Sequence, residues 1–213
     1  MKALNLYAGL GGNRKLWGGV EVTAVENNED IARVYKEQNL NDTLVIGDAH
    51  EYLLRHYSEF DFIWSSPPCQ SHSRMMKATR HKVVKYFDVS LYQEIILLQN
   101  FFKGKWVVEN VVPYYEPLIP AMKIGRHLFW SNFNIMPFEQ PNHKNFIQAD
   151  TQEETESLKE WLGIKYKGNI YYGNNHSPGQ VLRNCVHPET GLHILNCAMN
   201  IIKSENVSQP SLF

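Results

Sequence analysis

The chain has 213 residues, which is enough for one α/β domain with a full core and at most a small appendage. Its 43% hydrophobic and 20% charged residues are ordinary for a globular protein, and no apolar run approaches the roughly 20 residues that cross a bilayer. The net charge of −1 excludes a surface coated in basic residues, although a local basic patch can still hold nucleic acid.

Apolar runs and helical patterns alternate along the first half of the chain. The predicted elements, in chain order, are a strand over 3–7, a strand over 20–25, a helix over 29–38, a strand over 43–46, a helix over 51–56, a strand over 60–64, a helix over 91–102 and a strand over 106–108. This rhythm is typical of an α/β fold with a mostly parallel, doubly wound sheet. Residues 129–135 predict one more strand, which could run antiparallel.

The pattern changes after residue 133. Prolines and polar residues interrupt the alternation, an acidic helical stretch ends at Gly163, and a segment rich in Gly, Asn and Tyr follows. We therefore interpret residues 134–180 as an insertion or small subdomain, with residues 1–133 and 181–203 forming the main domain. A last helix is predicted over 190–203, ahead of a polar tail at 204–213.

The three cysteines are Cys69, Cys185 and Cys197. Their odd number argues against a disulfide framework, and their spacing predicts no metal site. The N-terminus lacks the long apolar centre and the cleavage site of a signal peptide. We therefore expect a cytoplasmic protein without a membrane segment or a bound metal, in which each thiol is either buried or reactive.

Three successive strand ends carry residues that suit a nucleoside. The first turn, YAGLGG at residues 7–12, is rich in glycine, but Arg14 stands where a dinucleotide-binding fingerprint needs its third glycine. Glu26 ends the second strand, where a carboxylate can accept both ribose hydroxyls, and Asp48 ends the third, where it can accept from an exocyclic amine. Each acid taken singly is more often a solvated side chain. Together they favour an adenosine site without a phosphate, and S-adenosylmethionine fits that description.

A cysteine and a glutamate follow the fourth and fifth strands. Residues 67–70 read PPCQ, and the two prolines fix the backbone so that Cys69 has a set direction at the edge of the sheet. Residues 109–111 read ENV, which places Glu109 at the same edge. A thiol and a carboxyl beside a nucleoside cofactor indicate covalent catalysis with a proton donor. A thiol-redox role for Cys69 is the weaker interpretation, since no resolving cysteine lies nearby in sequence.

This pair suits methyl transfer to carbon 5 of cytosine. A thiolate that adds to C6 makes C5 nucleophilic, and a protonated carboxyl at N3 stabilises the charge that the addition creates. The thiolate needs nearby positive charge, since an ordinary thiol has a pKa of about 8.5. A base inside a duplex is out of reach, so it must be flipped out while a loop closes over it.

The segment over residues 71–87 contains no acidic residue and five lysines and arginines, among them Arg74, Lys77 and Arg80. A charge run of this kind is usually a solvated loop. Its position directly after Cys69 favours instead a loop that closes on nucleic acid and holds phosphates.

Three motifs together resemble the successive signature motifs of the cytosine-5 DNA methyltransferases: LYAGLGG at 6–12, PPCQ at 67–70 and ENV at 109–111. NCVHP at 184–188 is similar to the last motif of that family, and Arg126 looks like one arginine of its paired-arginine motif. The resemblance spans residues 3–132 and 180–203. It implies a class I S-adenosylmethionine-dependent methyltransferase fold, a Rossmann-like doubly wound sheet with a small inserted subdomain, acting on double-stranded DNA as a DNA (cytosine-5-)-methyltransferase.

Carried over position by position, the resemblance implies that Cys69 is the nucleophile, that Glu109 binds N3 and the exocyclic amine, and that Arg126 binds the cytosine O2. Gln70 and the loop from Ser71 onward would fill the gap that the flipped base leaves in the duplex. The residues that would border S-adenosylmethionine are Tyr7, Gly9, Leu10, Gly11, Glu26, Asp48, Pro68 and Asn184.

The chain departs from the family pattern at several positions. Asn5 replaces an acid, Asn27 replaces an aromatic residue that often stacks on adenine, Leu128 replaces the second arginine, and Arg183 replaces a glycine. The segment 134–180 also replaces a target-recognition domain that is commonly larger. A protein with so short a segment would read a short site, read it loosely, or recruit a partner; a restriction enzyme or a recruiting protein is a candidate.

Two alternatives remain open. One branch of the same fold methylates tRNA with the same PPCQ, so RNA is the alternative substrate. The other alternative is a non-catalytic module that binds nucleic acid or cofactor, which the presence of both Cys69 and Glu109 disfavours.

Overall fold

Seven strands form one mixed sheet in the computed structural model, which describes residues 1–74, 86–143, 151–172 and 177–202. The strands are β1 (Lys2–Leu6), β2 (Glu21–Glu26), β3 (Thr43–Ile46), β4 (Phe62–Ser65), β5 (Lys105–Val111), β6 (Met122–Ile124) and β7 (His127–Ser131). The helices are α1 (Glu29–Gln38), α2 (Ala49–His56), α3 (Ser90–Phe101), α4 (Gln152–Leu162), α5 (Gly179–Arg183) and α6 (Pro188–Ala198), with a short 3-10 helix at Tyr57–Glu59.

The sheet has the order β3-β2-β1-β4-β5-β7-β6, with β4 at its centre and β1 beside it. Strands β1 to β5 run parallel, β7 is antiparallel to β5, and β6 is antiparallel to β7. The helices α1, α2 and α3 form the crossovers between successive parallel strands. The strand order reverses between β1 and β4, which is where ligands bind in sheets of this kind. The predicted α/β fold is confirmed as the Rossmann-like sheet typical of class I S-adenosylmethionine methyltransferases.

Several element boundaries differ from those predicted. Helix α2 begins at Ala49 rather than at 51, because the Asp48 side chain accepts a hydrogen bond from the Glu51 amide (2.8 Å) and caps the helix. The strand predicted over 129–135 is β7, which begins two residues earlier and is antiparallel. The last helix ends at Ala198 rather than at 203, and the backbone of Asn200 is left-handed (φ 56°). Strand β6 and helix α5 are too short to show a period in the sequence.

Helices cover both faces of the sheet. On one face Leu4 of β1 belongs to a hydrophobic cluster with Leu53 of α2 and Ile95 of α3. On the other face Ala3 of β1 belongs to a cluster with Ile194 of α6. Because both faces are buried, the parallel strands are apolar along most of their length, which is why they appear in the sequence as continuous apolar runs.

Helix α4, in the predicted recognition segment 134–180, packs against α1. Leu158 and Leu162 of α4 share a hydrophobic cluster with Ile31 and Val34 of α1 and with Leu10. A capping box starts the helix and a left-handed glycine ends it. The described part of this segment therefore shares a core with the sheet domain.

Some predictions fall outside the described residues. These are Lys77 and Arg80 of the basic segment and the polar tail at 204–213. Within the described ranges, no helix combines the length and the apolar character that crossing a membrane requires.

Candidate active site

The carboxyl ends of four parallel strands meet around a cavity of about 380 Å³. Tyr7 follows β1, Glu26 ends β2, Asp48 follows β3 and Pro68 follows β4, and all four residues line the cavity. The first turn of α3 closes another side of it. The volume lies in the range of small-molecule sites, roughly 300–1,000 Å³. Four of the residues predicted to border a cofactor are thus brought together.

The Glu26 carboxylate is buried and held by backbone amides. Its Oε2 accepts a hydrogen bond from the amide of Gly9, and its Oε1 accepts one from the amide of Asn28, both at 2.9 Å. Burial raises the pKa of Glu26, while these backbone donors oppose the rise. Each carboxylate oxygen has two lone pairs, so Glu26 keeps acceptor capacity for hydroxyl groups of a ligand.

Acidic side chains dominate the charged lining of the cavity. Glu26, Asp48, Glu51 and Asp88 line it, and no lysine or arginine does so within the described ranges. A phosphate would be repelled here, whereas a ligand with hydroxyls, an amine and a positive charge is attracted. The lining therefore fits S-adenosylmethionine, with its adenosine and its sulfonium charge, better than a dinucleotide.

Three other predicted cofactor residues lie elsewhere. The Leu10 side chain is buried in the cluster shared with α1 and α4. Gly11 has a left-handed backbone (φ 79°), and a Cβ there would lie 2.8 Å from the Tyr35 ring. Asn184 is exposed at the end of α5, where it hydrogen-bonds with Tyr172, and it does not line the cavity.

Cys69 lies in a turn that β5 helps to hold. The Nδ2 of Asn110, in β5, donates a hydrogen bond to the Pro67 carbonyl at 2.9 Å. The carbonyl of Cys69 accepts from the amides of His72 and Ser73 at 3.0 and 2.9 Å. The cysteine backbone is thus fixed on both sides, and its side chain is half-buried.

Cys69, Glu109 and Arg126 influence one another electrostatically. Burial raises the pKa of the Cys69 thiol to about 11, and the charge of Glu109 acts in the same direction. Burial raises the pKa of Glu109 to about 7, against a hydrogen bond with the Ser66 side chain. The Arg126 guanidinium lowers the pKa of both groups, because it favours the anionic thiolate and carboxylate. The predicted nucleophile, carboxyl and arginine therefore form one cluster.

Arg126 and His127 lie at the start of β7, beside β5. Arg126 Nη2 donates a hydrogen bond to the Arg183 carbonyl at 2.9 Å, and His127 Nε2 is 3.7 Å from Glu109 Oε1. Burial lowers the pKa of His127 to about 3, so its ring is neutral at pH 7. Its Nδ1 is buried without a hydrogen-bond partner among the described residues. Leu128, in the position of the second arginine, belongs to the hydrophobic core.

The residues predicted to contact DNA begin directly after Cys69. Gln70 is exposed. The Ser71 hydroxyl accepts a hydrogen bond from the Asp88 amide at 3.0 Å, and Arg74 Nε donates to the Pro113 carbonyl at 3.4 Å. The first residues of the basic segment are thus attached to Asp88, just ahead of α3, and to the loop that follows β5.

An aromatic cluster joins residues from the two ends of the basic segment. The His72 ring hydrogen-bonds with the Tyr115 hydroxyl at 2.5 Å. Phe87, at the other end of that segment in sequence, stacks on the same Tyr115 ring with centroids 4.3 Å apart. The two ends therefore lie close together, next to Cys69.

Comparison with known families shows to which protein family the chain belongs. The model of the C-5 cytosine-specific DNA methylase family matches residues 1–113, more than half of the sequence. The chain belongs to this family. The matched part contains the glycine-rich turn, Cys69 and Glu109, and it ends before Arg126 and Asn184. The fold of these methylases implies S-adenosylmethionine as cofactor.

The chain is also similar to several solved structures. The Entamoeba histolytica methyltransferase EhMeth is 9% identical, with 96% of this chain and 99% of that chain covered and a TM-score of 0.49. The putative methyltransferase yhhF from Escherichia coli is 17% identical over 61% of this chain and 73% of that one, with a TM-score of 0.41. DNMT2 from Spodoptera frugiperda is 25% identical over 52% of this chain and 35% of that one, with a TM-score of 0.37. No curated protein matches the sequence significantly.

Sequence reasoning missed three polar residues of the site, namely Glu94, His50 and His127. Glu94 of α3 is fully buried and bonds with two residues of the cavity wall, Tyr7 and His50. An acid inside the apolar helical pattern LYQEIILL was the available signal. His127 gave no such signal, since its contact with Glu109 depends on the pairing of β5 with β7.

Proposed function

We propose that this methylase transfers a methyl group from S-adenosylmethionine to C5 of a flipped-out cytosine in DNA through a covalent adduct with Cys69. The observation that carries the proposal is the electrostatic cluster of Cys69, Glu109 and Arg126 beside an acidic cavity. Family membership supports the same reaction.

The residues of the chain prepare the base for the methyl group. The Cys69 sulfur bonds to C6, and the electrons of the C5–C6 double bond move toward N3. The Glu109 carboxyl gives its proton to N3 and so stabilises the addition. Bound S-adenosylmethionine supplies the methyl group that C5 accepts. Loss of the C5 proton to a base, departure of the Cys69 sulfur from C6 and return of the N3 proton to Glu109 then restore the aromatic ring and the enzyme.

Arg126 supports two parts of this chemistry. Its charge favours the thiolate of Cys69, which is the reactive form of the nucleophile. We assign its guanidinium to the cytosine O2, where a donor opposes the charge that builds up in the ring. The backbone bond to Arg183 holds it in place.

We assign the DNA contacts to the residues after Cys69. Gln70 is exposed next to the nucleophile, where it can enter the space that the flipped base leaves. The basic segment holds phosphates on either side of that base. Residues 1–133 and 181–203 form the catalytic part in this proposal, and 134–180 form a short recognition region.

Nucleoside mass spectrometry tests the proposal. Purified protein is incubated with S-adenosylmethionine and duplex DNA of mixed sequence, with Cys69→Ala as the control, and the nucleosides are weighed after digestion. We expect 5-methyldeoxycytidine from the wild type and none from the variant. Product from both proteins would contradict the covalent mechanism. A wild type that leaves DNA unmodified but methylates tRNA would move the substrate to RNA.

A further inference from the structure

The buried carboxylate of Glu94 has no part in the chemistry proposed above. Glu94 lies in α3 with 0% of its surface exposed, one turn beyond Ser90 and Leu91, which line the cavity. The glutamate is thus in the layer directly behind the cavity wall.

Three side chains from three different elements hold this carboxylate. Oε1 accepts a hydrogen bond from the Tyr7 hydroxyl at 2.6 Å and lies 3.0 Å from His50 Nδ1, and Oε2 accepts from the Ser65 hydroxyl at 2.5 Å. A buried carboxylate without partners strongly destabilises a protein, and these three contacts offset that cost. The Glu94 carboxylate therefore links the end of β1, the start of α2 and the end of β4.

Two of these partners shape the cavity itself. Tyr7 and His50 both line it. Tyr7 has a left-handed backbone (φ 54°), which a bulky residue adopts only where its surroundings hold it. The third partner, Ser65, is the last residue of a central parallel strand and gives the carboxylate a rigid support.

We propose that Glu94 is a positioning residue for the methyl donor. Its carboxylate holds the cavity residues Tyr7 and His50 in place relative to β4. The inference rests on the proposed function, since it takes S-adenosylmethionine as the ligand of the cavity. Without the carboxylate, the Tyr7 turn and the His50 ring lose their common acceptor, and the cavity loses the shape that the donor needs.

Glu94→Gln tests this role at nearly constant side-chain volume. The neutral amide keeps one acceptor oxygen, so the Ser65 hydroxyl has to reverse its bond and accept from the amide N–H, and Tyr7 and His50 lose a charged acceptor. We expect the Kd for S-adenosylmethionine, measured by calorimetry, to rise on the order of tenfold or more, because hydrogen bonds to a charged group are lost. At saturating donor we expect kcat to fall much less than the affinity does.

Asp42→Asn is the matched control. Asp42 is also a buried carboxylate with three side-chain bonds, from Arg14 and Tyr35, but it precedes β3 and does not line the cavity. We expect this variant to lose stability and to keep a Kd for the donor within about twofold of the wild type.

A double-mutant cycle with Tyr7→Phe separates a specific effect on donor affinity from a general loss of stability. This variant removes only the hydroxyl that bonds to Glu94, so its effect on the Kd should largely disappear in the Glu94→Gln background. Equal donor affinity in wild type and Glu94→Gln overturns the inference and leaves the proposed function standing. If Glu94→Gln does not fold, unchanged affinity in both Tyr7→Phe and His50→Ala overturns it. A wild-type protein that binds no donor overturns the inference and the proposed function together.

Discussion

At pH 8 the side chains of Cys69 and Glu109 hold one proton between them, and it lies on the thiol. This follows from the pKa of about 11 for Cys69 and of about 7 for Glu109, both raised mainly by burial. The proposed chemistry needs the reverse arrangement, with a thiolate and a protonated carboxyl. Both arrangements carry the same number of protons, so the reactive one is a minor form whose fraction is constant between the two pKa values.

The pH dependence of the reaction follows from this shared proton. Below about pH 7 both groups are protonated, so one proton must leave before the pair can react. We expect kcat/KM to rise about tenfold per pH unit below that value and then to level off toward pH 9. The measurement is the initial rate of methyl transfer to DNA at constant ionic strength.

Glu109→Gln is the matched variant for this profile. Its neutral amide cannot titrate, and loss of the carboxylate lowers the pKa of the thiol. We expect the variant to be slower. Its rate should continue to rise well above pH 7, because the Cys69 thiol is then the group of this pair that still titrates. A break near pH 7 in both proteins would show that another group controls the profile.

At the scale of elements, α4 is part of the structure that supports the glycine-rich turn. Its leucines share a cluster with α1 and with Leu10, and Leu10 lies in that turn. A substitution in the core-facing side of α4 should therefore lower the stability of the sheet domain as well. If the segment 134–180 contributes to target recognition, it does so from a helix that is packed on the catalytic part.

Leu162→Ala measures this coupling. Leu162 is 1% exposed, and we expect the substitution to lower the free energy of unfolding by about 2–5 kcal/mol, because it leaves a cavity between α4 and α1. The control Glu160→Ala changes an exposed residue of the same helix and should stay within about 0.5 kcal/mol. Urea unfolding followed by tryptophan fluorescence and by circular dichroism should give one shared transition. Two separate transitions would mean that α4 unfolds as an independent unit.

At the scale of the whole molecule, the chain has almost no net charge, but one segment of its sequence is strongly basic. The net charge is −1, yet the basic segment that follows Cys69 in sequence contains five lysines and arginines and no acidic residue. Attraction to DNA should therefore be confined to the edge of the sheet that carries the site. Binding through a few phosphates is steeply dependent on salt, because each contact releases counterions.

Neutralising Arg74, Lys77 and Arg80 together with glutamine tests the basic segment. The plot of log K against log salt should become shallower by roughly 2 to 3 units, about 0.9 per lost phosphate contact. The control neutralises Lys2, Lys103 and Lys105, which lie at the opposite edge of the sheet and change the net charge by the same amount. An unchanged slope in the first variant, measured by fluorescence anisotropy, would show that the segment does not hold phosphates.

Local patterns in the sequence predicted the sheet and part of the site. Strands buried on both faces are continuous apolar runs, and groups that follow successive parallel strands must meet at one edge, which is why Glu26, Asp48 and Cys69 could be placed. The contacts of Glu94 and His127 could not be predicted, since they join residues far apart in the chain. Glu94 and Tyr7, for example, are separated by 87 positions. Asn184 was assigned to the cofactor by resemblance, and this stays a prediction: Asn184 hydrogen-bonds with Tyr172 and does not line the described cavity.

The covering of β1 by α6 has a consequence for synthesis of the protein. Strand β1 is synthesised long before α6, the helix that covers one of its faces; the hydrogen bond from Trp17 Nε1 to the Gly191 carbonyl spans 174 positions. At translation rates of about 5–20 residues per second, that apolar face stays uncovered for roughly 10 to 40 s. The strands, which end with β7, can therefore pair before α6 is available, and the sheet then exposes an apolar face until α6 emerges.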